Sequence, residues 1–185
     1  DAGRIGLGEM GIGNTTASAA ITAALTDRPV DEVTGYGTGI DEETRARKID
    51  TIERALAATE PDPADPVDVL RCVGGFEIGG LIGIALAAAE RRIPVVVDGV
   101  VAGAAALLAR EIDPPVTDYL LGSHASTEPA HAIQLDALGL TPGFDYEMGL
   151  GEGTGAALAI GVYRSACRVH TEMATLNEIG VNPDE

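Results

Sequence analysis

At 185 residues, 45% of them apolar, the chain is long enough to bury the core of one domain and too apolar to be disordered. A formal net charge of −17 leaves no basic footprint for nucleic acid or for an anionic membrane surface. The apolar run from Gly79 to Ala89 is too short to cross a bilayer.

Aromatic residues make up 3% of the chain and Trp is absent, so the core must be built from Ala, Val, Ile and Leu. Lys48 is the single lysine among 12 basic residues. Many acids with scarce lysine also fit a solubility adaptation to high salt. Cys72 and Cys167 match no metal spacing and read as reduced core residues of a cytoplasmic protein. No signal peptide is visible. The chain opens on Asp1 rather than Met and runs directly into a strand, so a preceding segment is expected.

Ile5 and Leu7 end a short buried strand. Gly6-Leu7-Gly8-Glu9-Met10-Gly11-Ile12-Gly13-Asn14-Thr15-Thr16 follows, and then a helix over 17–26. A glycine loop running into a helix start offers free N–H groups and a positive dipole end, which suit a phosphate. Asn14, Thr15 and Thr16 are candidate caps. Glu9 would repel a phosphate, so it should face another part of the ligand. The plainer alternative is a glycine-rich turn before a capped helix. The loop carries no Walker lysine. Gly6, Gly8 and Gly11 have GxGxxG spacing without the acidic residue of a dinucleotide site.

Residues 30–39 read as a loop with glycines at 35, 37 and 39, and a charged helix follows from Asp41 to about Ala58. Ala46, Ile49, Ile52, Ala55 and Leu56 recur at helical spacing. Lys48 lies off that stripe, where a solvated partner of Glu43 or Glu53 is the ordinary reading. The linker Pro61-Asp62-Pro63-Ala64-Asp65-Pro66 precedes a short helix over 67–73. A glycine bend at 74–80 leads to a helix over 81–92, and Glu77 reads as a helix N-terminal carboxylate.

Residues 92–99 form the clearest strand, continuously apolar as in a sheet covered on both faces. It ends at Asp98-Gly99, on the carboxyl edge where open parallel sheets bind ligands. An alanine-rich helix over 100–110 comes next, then a strand over 117–124. The polar loop Ser123-His124-Ala125-Ser126-Thr127-Glu128-Pro129-Ala130-His131 reads equally as a site or as a cap for the helix over 130–138. An extended segment over 140–148 leads to a second glycine loop, Met148-Gly149-Leu150-Gly151-Glu152-Gly153-Thr154-Gly155. A helix over 156–174 and a tail over 175–185 close the chain. This alternation implies an α/β fold with a mainly parallel sheet and helices on both faces. Residues 1–174 form its core domain. Glu9, Asp98, Ser126 and Glu152 should share one edge. Ser126 with His124 or His131 suggests a hydrolase only weakly, because no nucleophile elbow is present.

Taken together, several of these segments carry a resemblance. Gly8-Glu9-Met10-Gly11-Ile12-Gly13-Asn14-Thr15-Thr16, Gly37-Thr38-Gly39, Arg47-Lys48-Ile49, Val73-Gly74-Gly75-Phe76-Glu77-Ile78, Ile93–Gly99, Ser123–His131 and Leu150–Ala156 occur in one order along essentially the whole chain. That set resembles the nicotinate-nucleotide–dimethylbenzimidazole phosphoribosyltransferases. The resemblance implies transfer of the phosphoribosyl group from nicotinate mononucleotide to 5,6-dimethylbenzimidazole, with inversion at the anomeric carbon. The products are α-ribazole 5′-phosphate and nicotinate, and no metal or cofactor is used. It implies Glu152 as general base and Glu9 as a second carboxylate near the ribose and acceptor. It implies phosphate contacts from Lys48, Ser126 and the glycine-loop amides about Gly11, counts Gly13, Asn14, Thr15 and Gly153 among the substrate-binding residues, and puts Asp98 beside the ribose. It implies a homodimer whose α/β fold is Rossmann-like, with a small helical domain. It also implies an N-terminal portion, outside this chain, that supplies part of the dimethylbenzimidazole pocket, so that this chain binds the nucleotide but turns over poorly. A noncatalytic nucleotide- or partner-binding module of the same family is the alternative.

Overall fold

The computed structural model describes residues 3–181. The opening Asp1 and the end of the tail, 182–185, lie outside the described residues. Four strands, β1 (Ile5–Gly6), β2 (Val95–Val97), β3 (Leu120–Ser126) and β4 (Pro142–Met148), make one sheet in the order β1-β2-β3-β4. Every neighbouring pair is parallel, so all the strand carboxyl ends lie along one edge. Parallel neighbours need crossovers, and helices supply them.

Between β1 and β2 run α1 (Asn14–Thr26), α2 (Val30–Val33), α3 (Glu42–Thr59), α4 (Pro66–Val73) and α5 (Phe76–Glu90). α6 (Val100–Ile112) and a 3-10 turn at Pro114–Tyr119 link β2 to β3. α7 (Pro129–Leu138) links β3 to β4, and α8 (Thr154–Glu172) follows β4. Val95 and Val97 join the main core with α1, α5, α6 and α7, whereas Val96 packs with Ala156 and Ala159 of α8. Successive strand residues face opposite ways, so helices cover both faces of β2. α6 is buried along nearly its whole length, from Val100 to Ala109, and is the central pillar.

Several boundaries depart from the sequence reading. Residues 30–33 form a helical turn rather than loop. α5 begins at Phe76, not at residue 81, although Gly79, Gly80 and Gly83 lie inside it. The buried stripe of Ile78, Leu81, Ile82 and Ala85 outweighs the poor helix propensity of those glycines. Glu77 sits in the first turn, as a helix-start carboxylate should. Residues 117–119 close the 3-10 turn instead of opening β3. Neither thiol is in the core: Cys72 is half-buried and Cys167 is exposed on α8, and both are free.

Candidate active site

At the carboxyl edge, the loops after the four strands enclose a cavity of about 540 Å³. Glu9, Asp98, Ser126 and Glu152, expected on one edge, all line it. Gly11, Asn14 and Thr15 line it as well. Gly13 does not; it borders a smaller cavity of about 280 Å³ between α1, α3 and α4. Lys48 and Gly153 stand behind the wall rather than in it, each touching a residue that lines it.

The glycines explain how two distant loops meet. A methyl group on Gly8 would fall 2.4 Å from Gly153 Cα, so the first loop crosses the second backbone to backbone. Glu152 takes φ 57°, between Gly151 at 79° and Gly153 at 75°. Left-handed backbone at a non-glycine residue costs about 1–2 kcal/mol. The loop's own bonds offset part of that, since Thr154 donates to Gly151 O through N–H at 3.0 Å and through Oγ1 at 2.7 Å. Glu152 is exposed at the cavity mouth and Glu9 is half-buried.

The start of α1 differs from expectation. Gly13 is the N-cap, left-handed at φ 86°, and no side chain caps the helix. Asn14 instead donates its Nδ2 to Glu9 Oε2. Thr15 Oγ1 accepts from Lys48 Nζ at 2.9 Å. The side chains expected to cap α1 therefore hold the cavity wall. Burial pushes the Glu9 carboxyl above its ordinary value; the Asn14 bond opposes this, while Glu77, Asp98 and Glu152 add to it.

Lys48 is not a solvated surface lysine. It reaches from α3 to Thr15 and, at 3.4 Å, to Gly35 O. Burial lowers its pKa, and Glu128 partly restores it. Glu128 lies in the polar loop that the sequence reading weighed as a site, but was not singled out there. Its Oε1 accepts from Gly37 N at 2.7 Å, and its carboxylate fills the space a side chain at Gly35 would need. Pro129 at the first position of α7 marks Glu128 as the N-cap residue.

Asp98 is buried, and both its oxygens are engaged. Oδ2 accepts from Gly153 N at 3.1 Å and Oδ1 from Ala156 N at 2.9 Å. Its own carbonyl accepts from Ser123 Oγ at 2.9 Å. Since that hydroxyl donates to Asp98, its 2.8 Å contact with His124 Nδ1 makes His124 the donor there. His131 Nδ1 accepts from Ser126 N at 3.2 Å, which fixes the end of β3. His124 lines the cavity and His131 braces it from behind, and no hydrolase arrangement forms: Ser126 Oγ accepts from Glu128 N at 3.3 Å and donates to neither histidine.

Burial lowers the His131 pKa to about 4 from 6.5, with the neighbouring His124 as a further cause. Folded His131 is therefore neutral where the unfolded residue is protonated. Stability falls as pH drops from 6.5 towards 4, by roughly 2–3 kcal/mol from this group. Urea unfolding at about pH 7 and about pH 4.5, on either side of the unfolded value, should show a smaller acid loss for His131→Gln than for the native chain. Equal losses would remove His131 from the account.

Comparison with known proteins follows the same pattern. A family model described as Phosphoribosyltransferase (DBI_PRT) matches residues 1–181. The chain belongs to this phosphoribosyltransferase family. It is 55% identical over 175 residues to the nicotinate-nucleotide–dimethylbenzimidazole phosphoribosyltransferases of Chloroflexus aggregans and Desulforudis audaxviator, covering 95% of this chain and 50% of each relative. The crystal structure of CobT from Thermus thermophilus superposes with a TM-score of 0.93 at 46% identity, over 98% of this chain and 54% of that one. The chain therefore spans about half the length of the curated relatives it matches. Among the described residues no helix is long and apolar enough to cross a membrane, and no group of three or more His, Cys, Asp or Glu is placed to hold a metal.

Proposed function

We propose that this family member transfers the phosphoribosyl group of nicotinate mononucleotide to 5,6-dimethylbenzimidazole. The observation that carries the proposal is the convergence of Glu9 and Glu152 on one cavity beside the start of α1. The 5′-phosphate lies at that helix start, against the Gly11–Ile12 backbone, with Thr15 and Ser126 around it and Lys48 behind Thr15. The negative end of the nucleotide thus meets the helix dipole and the one lysine, not the acidic surface. The ribose lies over Asp98 and the Gly153 loop.

The C1′–N bond to nicotinate breaks, and its electron pair returns to the pyridinium nitrogen, so the leaving group needs no proton. Positive charge developing on the ribose is stabilised by the nearby carboxylates, Glu9 foremost. A benzimidazole ring nitrogen attacks C1′ from the opposite face. The proton on its other nitrogen goes to Glu152, acting as general base. Alignment carries much of the rate, because both reactants are held within one site. No cofactor or metal enters this scheme. A homodimer and a cytoplasmic location belong to the same proposal; exposed Leu158, Val162 and Val169 on α8 support the first.

Incubation of the chain with both substrates should release nicotinate and α-ribazole 5′-phosphate in equal amounts, with no nicotinate when the base is withheld. Nicotinate release without the base would mean hydrolysis, and bound nucleotide without product would favour the noncatalytic module. Lys48→Ala should raise the nucleotide KM roughly 10- to 100-fold, the scale of one charge-assisted hydrogen bond, with kcat changed only a few-fold. An unchanged KM would take Lys48 out of the phosphate site.

A further inference from the structure

We propose that Asp98 is a positioning residue that acts through Glu152, holding the base in place by capping α8 from across the sheet. The inference rests on the reading of Glu152 given above. α8 has no capping side chain of its own, because its N-cap is Gly153 in the left-handed region. That glycine cannot be exchanged for Ser or Asp without strain, and Gly8 packs against it. The capping oxygens must come from elsewhere.

Asp98, at the end of β2, supplies them. Its two oxygens take the N–H groups of Gly153 and Ala156, the residues that bracket the first turn of α8. Glu152 immediately precedes this clamp and is held at φ 57°. Asp98 is itself pinned from behind, by the bond from Ser123 Oγ to its carbonyl. The close fit leaves no slack: a methyl group on Gly155 would fall 2.9 Å from Asp98 Oδ1. The carboxylate is thus occupied in orienting the turn that carries Glu152, although it forms part of the cavity wall.

Asp98→Asn puts an NH2 group against one of the two N–H donors and breaks the clamp. Asp98→Ser, smaller and able to accept from one N–H, repeats the test if the asparagine variant folds poorly. The expected kinetic result is a fall in kcat of about 10²-fold, well beyond any rise in the nucleotide KM that follows from Asp98 lining the cavity. In a Glu152→Gln background the same change should cause almost no further fall, because both act on one group. Losses that multiply would overturn the proposal. Amide hydrogen exchange gives a reading that needs no activity. Exchange at Gly153 and Ala156 should quicken about tenfold or more while β3 stays protected. Unchanged exchange at those two amides would overturn the positioning role even if the transferase reading failed.

Discussion

Glu152→Gln should lower kcat by about 10²-fold or more and leave the nucleotide KM close to its native value. Glutamine keeps the shape and polarity of the side chain but cannot accept the benzimidazole proton. The backbone cost of the left-handed position is nearly the same for either residue, so the loop should hold its form. Glu152 is exposed at the cavity mouth, where the substitution disturbs little packing. Glu9 is a poor substitute base, since its carboxylate is tied to Asn14 and lies on the other loop. Steady-state rates with both substrates varied check this. A rise in KM equal to the fall in kcat/KM, with kcat intact, would make Glu152 a binding group instead.

Gly155→Ala should destabilise the protein by about 3 kcal/mol or more and remove activity with it. The new methyl group would fall 2.0 Å from His124 Nδ1, a contact no real pair of atoms keeps. His124 cannot step aside: it is buried, bonded to Ser123 and stacked on Phe144. The strain would pass to the α8 start, where Asp98 and Glu152 are set. For a chain of this size that predicts a fall in Tm of roughly 6–12 °C. Gly161→Ala, in the same helix, is the control. Nothing lies within 4 Å of its added methyl group, so it should hold or raise Tm by a few degrees. Calorimetric scans of both variants decide the point; equal shifts would mean that helix propensity, not the His124 contact, governs position 155.

These two glycines show where the sequence could be read and where it could not. The strand–loop–helix order was legible, because Val95–Val97 and the apolar stripes announce themselves locally. The paired Glu-glycine loops were legible as a pair, and the parallel order of the strands brings them to one edge. What each glycine is for was not legible. Gly8 answers to Gly153, and Gly155 answers to His124, contacts that cross the fold. Lys48 looked solvated because its partner Thr15 lies 33 residues away, off its own helix. The bonds that Asp98 makes were not legible either, because its two N–H partners lie 55 and 58 residues further on. Local periodicity carries no trace of such bonds. The start of α5 was misplaced for the opposite reason: its glycines speak locally for a bend, and tertiary burial overrules them.

The central claim is that one sugar lies between Glu9 and Glu152. Crystals of the chain grown with nicotinate mononucleotide test it most directly. The account predicts the ribose between those two carboxylates, with the phosphate at the start of α1 beside Lys48. Nucleotide bound on another face, with this cavity empty, would contradict it.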